Sequence, residues 1–241
     1  MLASRNLKEI LREPLGLVFM VGLPLAMEIL FYYVFHNMTS QFEMKYLATG
    51  IVAFSQSFLT LFTAMLLSVD RSTSFLTRLY VSRTRSFEFI LGYAVALLPV
   101  CLAQSVLFFV VGGIIDPTFW SATMPLGVLL SLVTGVLFVG LGLLFGTVCN
   151  ERAVGGVASI VITGQSVLSG MWFPVEGLPR GMVIFMRVLP FKNANMLLQN
   201  IVNGYADAWQ DVGLPLVVVL AYGIVIMVAA VLIFRRKMSA Q

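Results

Sequence analysis

Residues 47–69 read LATGIVAFSQSFLTLFTAMLLSV, and residues 70–88 read DRSTSFLTRLYVSRTRSFE. The first stretch has 23 residues and no charged side chain, and an α-helix needs roughly 20 mostly apolar residues to cross the hydrocarbon of a bilayer. The 19 residues that follow hold Arg71, Arg78, Arg83 and Arg85. A span followed at once by a basic connection reads as a membrane helix emerging on the cytoplasmic side, where lysine and arginine accumulate.

Outward from this stretch, further apolar runs at 15–35, 89–115, 124–149, 153–172 and 212–234 bring the expected spans to six. The composition agrees, with 59% hydrophobic and 11% charged residues and a mean hydropathy of +0.97, whereas charged residues approach about a quarter of a soluble chain. With six spans in 241 residues there is no room for a globular domain, which excludes a self-contained soluble enzyme. The expected fold is therefore an all-α polytopic membrane protein, with 1–241 as one transmembrane domain. The run at 15–35 has a basic flank like a secretory signal, but it lacks an A-x-A-like cleavage site and is expected to be an uncleaved span. Cys101 and Cys149 form neither a disulfide framework nor a C-x-x-C metal pattern, so both are expected to be small core residues.

Lysine and arginine number 3 before the first run (Arg5, Lys8, Arg12), 1 after it (Lys45), 4 in 70–88 and 0 in 116–123. The remaining connections hold 1 (Arg152), 3 (Arg180, Arg187, Lys192) and 3 (Arg235, Arg236, Lys237). Alternate sides total 11 and 4, which predicts that both termini are cytoplasmic. The net charge of +4 is thereby explained by topology, and no nucleic-acid partner is expected. The stretch 173–211 is apolar but interrupted by Pro174, Pro179, Pro190, three basic residues and the run Lys192-Asn193-Ala194-Asn195. Burying those charges near the bilayer centre would cost about 2.5 to 3.5 kcal/mol each. Residues 173–203 are therefore expected to form a re-entrant or interfacial helical hairpin on the outer face, packed against other spans.

Three segments stand out as functional candidates. In 1–14, Leu7, Ile10 and Leu11 recur at helical spacing opposite Arg5, Lys8, Glu9 and Arg12, which predicts an amphipathic helix lying flat on the cytoplasmic surface; Pro14 then turns the chain inward. In 70–88, Phe75, Leu76, Leu79 and Tyr80 form an apolar stripe among the arginines, suited to a protein groove or to anionic lipid. Glu28 is the one ionisable residue well inside an expected span, with His36 at the outer end of the same helix. An intramembrane carboxylate is costly, so Glu28 is expected either to meet substrate or a coupling ion or to be tied to Gln56, Gln104 or Gln165. Gly135, Gly140, Gly142, Gly146, Gly155 and Gly156 predict close helix packing, within one subunit or along a seam between subunits.

Other chemistry has no sequence support. The chain holds no G-x-x-x-x-G-K-[ST] to cradle ATP phosphates and no G-x-S-x-G nucleophile. His36 is the single histidine, and it is poorly placed for a general base.

The leader ending Arg12-Glu13-Pro14, the segment Asp70 to Tyr93 and the segment Ser169 to Gly204 (SGMWFPVEGLPRGMVIFMRVLPFKNANMLLQNIVNG) together resemble the membrane subunit of type-2 ABC transporters. The last is the most specific: Ser169-Gly170, Phe173-Pro174, Leu178-Pro179 and Leu189-Pro190 follow that family's order. Asp70 stands where the family often has Glu, and Val81 to Arg85 stand where it often carries a proline.

The resemblance implies a half-transporter of the exporter kind in the plasma membrane of a bacterium. In that frame 1–14 is a connecting helix and 70–88 a coupling helix. Asp70, Arg71, Phe75, Leu76, Arg78, Leu79 and Tyr80 would meet an ATP-binding subunit, present in two copies, and Phe173, Pro174, Pro179 and Pro190 would shape the re-entrant hairpin. Glu28, Gln56 and Gln165 are the polar residues expected along a translocation path. The chain itself would need no cofactor, since ATP and magnesium belong to the partner. A second permease subunit, identical or related, and membrane lipid complete the expected partners. A hydrophobic drug or antimicrobial is the favoured cargo, with lipids, polysaccharide or teichoic-acid chains and sodium as the alternatives. The competing classes are a non-transporting immunity or scaffold subunit and an ion-driven carrier, but the repeated halves and intramembrane charge pairs expected of a carrier are not evident.

Overall fold

A computed structural model describes residues 2–72, 86–175 and 177–239, and among these all regular structure is helical. In chain order the helices are α1 (Leu2–Leu11), α2 (14–35), α3 (Met44–Ser72), α4 (Ser86–Ile115), α5 (Met124–Val148), α6 (Glu151–Leu168), α7 (Arg180–Val188), α8 (Pro190–Asn203) and α9 (208–239). Helix α2 contains a π-helical turn at Val18–Gly22, and α9 begins with another at Ala208–Gly213.

Five of these helices are long and apolar enough to cross a membrane: Val18–Phe35, Met44–Arg71, Phe87–Ile115, Met124–Val148 and Ala208–Lys237. The chain is thus a multi-pass membrane protein. Helix α6, the expected fifth span, is not among them, because its 18 residues open on Glu151-Arg152 and include Ser159, Thr163, Gln165 and Ser166. The last helix starts earlier than its apolar run, since the Asp207 carboxylate accepts the backbone N–H groups of Trp209 and Gln210 and caps it.

Helix α3 is the central post, with 83% of its apolar window buried, against 17% for the windows of α2 and α9. Its many hydroxyls would be costly in hydrocarbon, and most are satisfied along their own helix. Thr49, Ser55, Ser57, Thr63 and Ser68 donate to carbonyls three or four residues earlier. Thr60 instead donates across to the Phe138 carbonyl on α5 at 2.9 Å.

The α3–α5 contact is close because glycines permit it. A Cβ on Gly142 would stand 2.6 Å from the Thr60 carbonyl oxygen, and one on Gly146 would stand 2.8 Å from that of Ala64. A Cβ on Gly135 would collide with the Cys101 sulfur. These glycines therefore pack within the chain. Gly155 and Gly156 on α6 differ, since a Cβ on either would meet nothing within 4 Å among the described residues.

Candidate coupling site

At one end of the bundle, α3 finishes with Asp70-Arg71-Ser72, immediately before residues 73–85. Phe75, Leu76, Arg78, Leu79 and Tyr80, the expected heart of the coupling helix, lie outside the described residues. Asp70 and Arg71 are described, and both are held firmly. Asp70 is 5% exposed, and its two carboxylate oxygens accept Arg5 Nη2 of α1, each at 2.6 Å. The Tyr93 hydroxyl of α4 donates to the same carboxylate. Arg5 Nη2 also reaches Glu9 Oε2 at 3.2 Å, one turn along α1. Burial lowers the pKa of the Arg5 guanidinium, but hydrogen bonding and charge from Asp70 raise it more, leaving it above its ordinary value.

Arg71 turns the other way. Its Nη1 donates to the carbonyls of Gly146 at 2.6 Å, Thr147 at 2.5 Å and Cys149 at 3.2 Å. The last carbonyls of an α-helix lack partners within the helix and carry its negative dipole end, so a cation is well placed at the end of α5. Lys237 Nζ of α9 joins it, donating to Thr147 and Val148 carbonyls at 3.0 and 3.1 Å. Phe89 stacks on Phe234 with ring centroids 4.9 Å apart, closing α4 against α9. The root of the basic connection is thereby joined to α1, α4 and α5, and through the α5 terminus to α9. Two consecutive residues at the end of α3 thus bond to different neighbours, Asp70 to α1 and α4 and Arg71 to the end of α5.

Helix α1 buries Asn6 and Ile10 and leaves Lys8, Glu9 and Arg12 exposed. Asn6, absent from the expected apolar stripe, is therefore part of the packed face.

No hydrogen bond joins the residues expected along a path to one another among the described residues. Gln56 is a helix tie: its Nε2 donates to the Ser131 carbonyl at 2.8 Å, and its Oε1 accepts from Thr134 at 2.5 Å. Gln104 Nε2 donates to the Met20 carbonyl in the π-helical turn of α2 at 2.9 Å. Gln165 and Glu28 are fully buried, and neither has a hydrogen-bond partner among the described residues. The expected tie from Glu28 to Gln56, Gln104 or Gln165 is accordingly not formed. Gln56 and Gln104 are used between α3 and α5 and between α2 and α4, where backbone carbonyls are better placed.

In 173–203, Phe173 is half-buried and Pro174 exposed. Pro179 precedes α7 and Pro190 opens α8. Pro190 also holds Leu189 extended (φ −74°, ψ 148°), which separates the two helices. Gly170 adopts φ +72°, a left-handed conformation suited to glycine, where α6 ends.

The polar run after Pro190 has a role that spacing alone does not reveal. Asn193 Nδ2 donates to the Arg187 and Leu189 carbonyls, both at 2.7 Å, joining α8 to α7. Asn195 donates to Ser169 at the end of α6, and Asn203 to Lys45 at the start of α3. Asparagine amides thus tie the ends of neighbouring helices to one another through backbone carbonyls.

No curated protein matches this chain. The ABC-2 type transporter family matches residues 1–202, a region that contains the Arg5–Asp70–Tyr93 cluster, the glycine-mediated α3–α5 contact, α7 and all but the last residue of α8, and the chain belongs to that family.

Proposed function

We propose that this chain is the permease half of an ATP-driven exporter, working with two copies of an ATP-binding subunit and a second permease copy or relative. In this reading six spans, including α6, place both termini in the cytoplasm of a bacterium, and 173–203 forms the re-entrant hairpin on the outer face. Residues 70–88 dock in a groove of the ATPase subunit, which supplies ATP and magnesium. The carrying observation is the paired grip at the end of α3, with Asp70 held by α1 and α4 and Arg71 held on α5. A connection that only rejoined two spans would not need its first residues tied to so many helices.

The mechanism follows from that grip. Closure of two ATPase subunits moves the coupling helices, and Asp70 and Arg71 pass the movement to α1, α4 and α5. The permease pair then switches as rigid bodies between inward-accepting and outward-releasing states. The exposed side of α6, with Gly155 and Gly156 open to approach, is the seam offered to the second permease, since small residues let membrane helices come close. A hydrophobic or amphipathic cargo, drug or antimicrobial, suits walls with few charges. Glu28 and Gln165 supply the polar contacts on that route, and Gln56 fixes the helices beside it.

The test is purification from the native host in mild detergent, with assay of the co-eluting material for ATP hydrolysis. A stoichiometric ATPase partner is expected, and Leu79→Asp should abolish transport by the complex. Elution alone, with no hydrolysis, would favour a scaffold subunit or an ion-driven carrier. Normal partner binding and transport by Leu79→Asp would overturn the docking assignment.

A further inference from the structure

Glu28 is the feature that packing leaves unexplained. It is 0% exposed, and neither carboxylate oxygen has a partner among the described residues. A carboxylate within a span is retained at considerable cost and faces protein or a path rather than lipid. The missing side chain of Gly112 on α4 lets it pack closely there. A Cβ built on Gly112 of α4 would stand 3.2 Å from Glu28 Oε1, 3.1 Å from Met44 Sδ and 3.3 Å from Ala48 Cβ. Glu28 and the Met44 thioether therefore converge over the same bare stretch of α4.

Met44 also lines a pocket of about 240 Å³ near the end of the bundle opposite the coupling site, together with Tyr32, His36, Glu43, Lys45, Asp116, Thr118 and Phe119. Tyr32 and His36 lie one and two turns beyond Glu28 on the same face of α2. Their rings stack with centroids 4.6 Å apart, and His36 Nδ1 donates to the Tyr32 carbonyl at 2.7 Å. The pocket holds two carboxylates against one ammonium. Lys45 Nζ pairs with Glu43 at 2.8 Å, and the Asp116 carboxylate accepts from the Thr118 hydroxyl at 2.6 Å. Glu28 does not line the pocket but lies beside Met44, which does, and it has no hydrogen-bond or ion-pair partner among the described residues.

We propose that this pocket and Glu28 form a binding site for the protonated amine head of an amphipathic compound, with Glu28 as the buried counter-charge. Its role as a cargo site rests on the exporter reading. A hard metal cation would need several oxygen ligands, and among the described residues no group of three or more His, Cys, Asp or Glu is placed to hold a metal ion. An ammonium head needs less. One carboxylate neutralises it, Tyr32 and Phe119 offer aromatic faces, and the flexible Met44 can yield to admit it. The pocket supplies a net negative entrance, and the apolar bundle suits the hydrophobic remainder of the compound.

The experiment uses the purified complex in detergent, without nucleotide, and two probes: dansylcadaverine, a primary amine, and its N-acetylated uncharged form. The wild-type protein is expected to bind the amine at least tenfold more tightly, and Glu28→Gln to erase that preference while eluting and melting as the wild type does. On the unaltered protein, dicyclohexylcarbodiimide should modify Glu28, read by mass spectrometry, and the amine but not the acetylated probe should protect it. Equal binding of both probes, an unchanged preference in Glu28→Gln, or modification unaffected by the amine would each overturn the site. If the amine binds through Glu28 while the complex neither hydrolyses ATP nor transports, the exporter reading fails and the site stands.

Discussion

Arg5 Nη2 lies 2.6 Å from each carboxylate oxygen of Asp70, although the two residues are 65 positions apart. The contact joins the first helix of the chain to the last turn of its central one. Because Asp70 is buried and Arg5 only half-exposed, the pair is screened less than a surface ion pair. It is also reinforced by Tyr93.

Arg5→Ala should leave Asp70 buried with a lost charged partner and lower stability by about 2 kcal/mol, the scale of a hydrogen bond to a charged group. Thermal unfolding in detergent measures this. Tyr93→Phe should cost less alone, and the double variant should depart from additivity because both side chains share one carboxylate. Strict additivity would mean that Asp70 is not their common anchor.

Gly142→Ala and Gly146→Ala should each lower the melting temperature and the monodisperse yield, because the added methyl meets the Thr60 or Ala64 carbonyl at under 3 Å and overpacking costs roughly 1 to 3 kcal/mol. Gly155→Ala and Gly156→Ala should leave the fold of the single chain unaffected. Size-exclusion profiles of all four, side by side, check the contrast. Equal damage from both pairs would contradict the assignment of α3–α5 packing to the first pair alone.

Gln56→Leu removes one donor and one acceptor between α3 and α5, and inter-helix hydrogen bonds in membranes contribute about 0.6 kcal/mol on average and up to about 1.7. A loss within that range is expected in denaturation by detergent titration. A larger loss would point to a cavity formed around Ser131 and Thr134.

Asn193→Ala should loosen α7 from α8, since its amide holds the Arg187 and Leu189 carbonyls. A cysteine placed at Met186, the fully buried residue of α7, should become more reactive to a water-soluble maleimide in this variant, with global stability changed by about 1 kcal/mol or less. Unaltered reactivity would show that packing alone holds the two helices.

The sequence by itself determined that this is a helical membrane protein, where its long apolar helices run, and which family it resembles. Those properties are local: a stretch such as 47–69 can satisfy its backbone in a bilayer only as a helix, whatever surrounds it. The family's spaced proline pairs are likewise read from consecutive residues. Legibility fell at α6, because the run expected from Ala153 left out Glu151 and Arg152, which the helix includes, and its polar residues set it apart from the five long apolar helices.

Tertiary structure alone decided which side chains meet. From sequence Gly142 and Gly156 are equivalent small residues, yet one packs against α3, whereas a Cβ on the other would meet nothing within 4 Å among the described residues. Gln56 and Gln104 were equally eligible partners for Glu28, but both are bonded to backbone carbonyls, and Glu28 remains buried without a partner among the described residues. Arg5 carried only a topological charge until folding set it on Asp70. The physical reason is the same in each case. Hydrophobic length is fixed along the chain, whereas hydrogen bonds and close contacts depend on distances of 3 Å or so that only the rotation and crossing of whole helices can set.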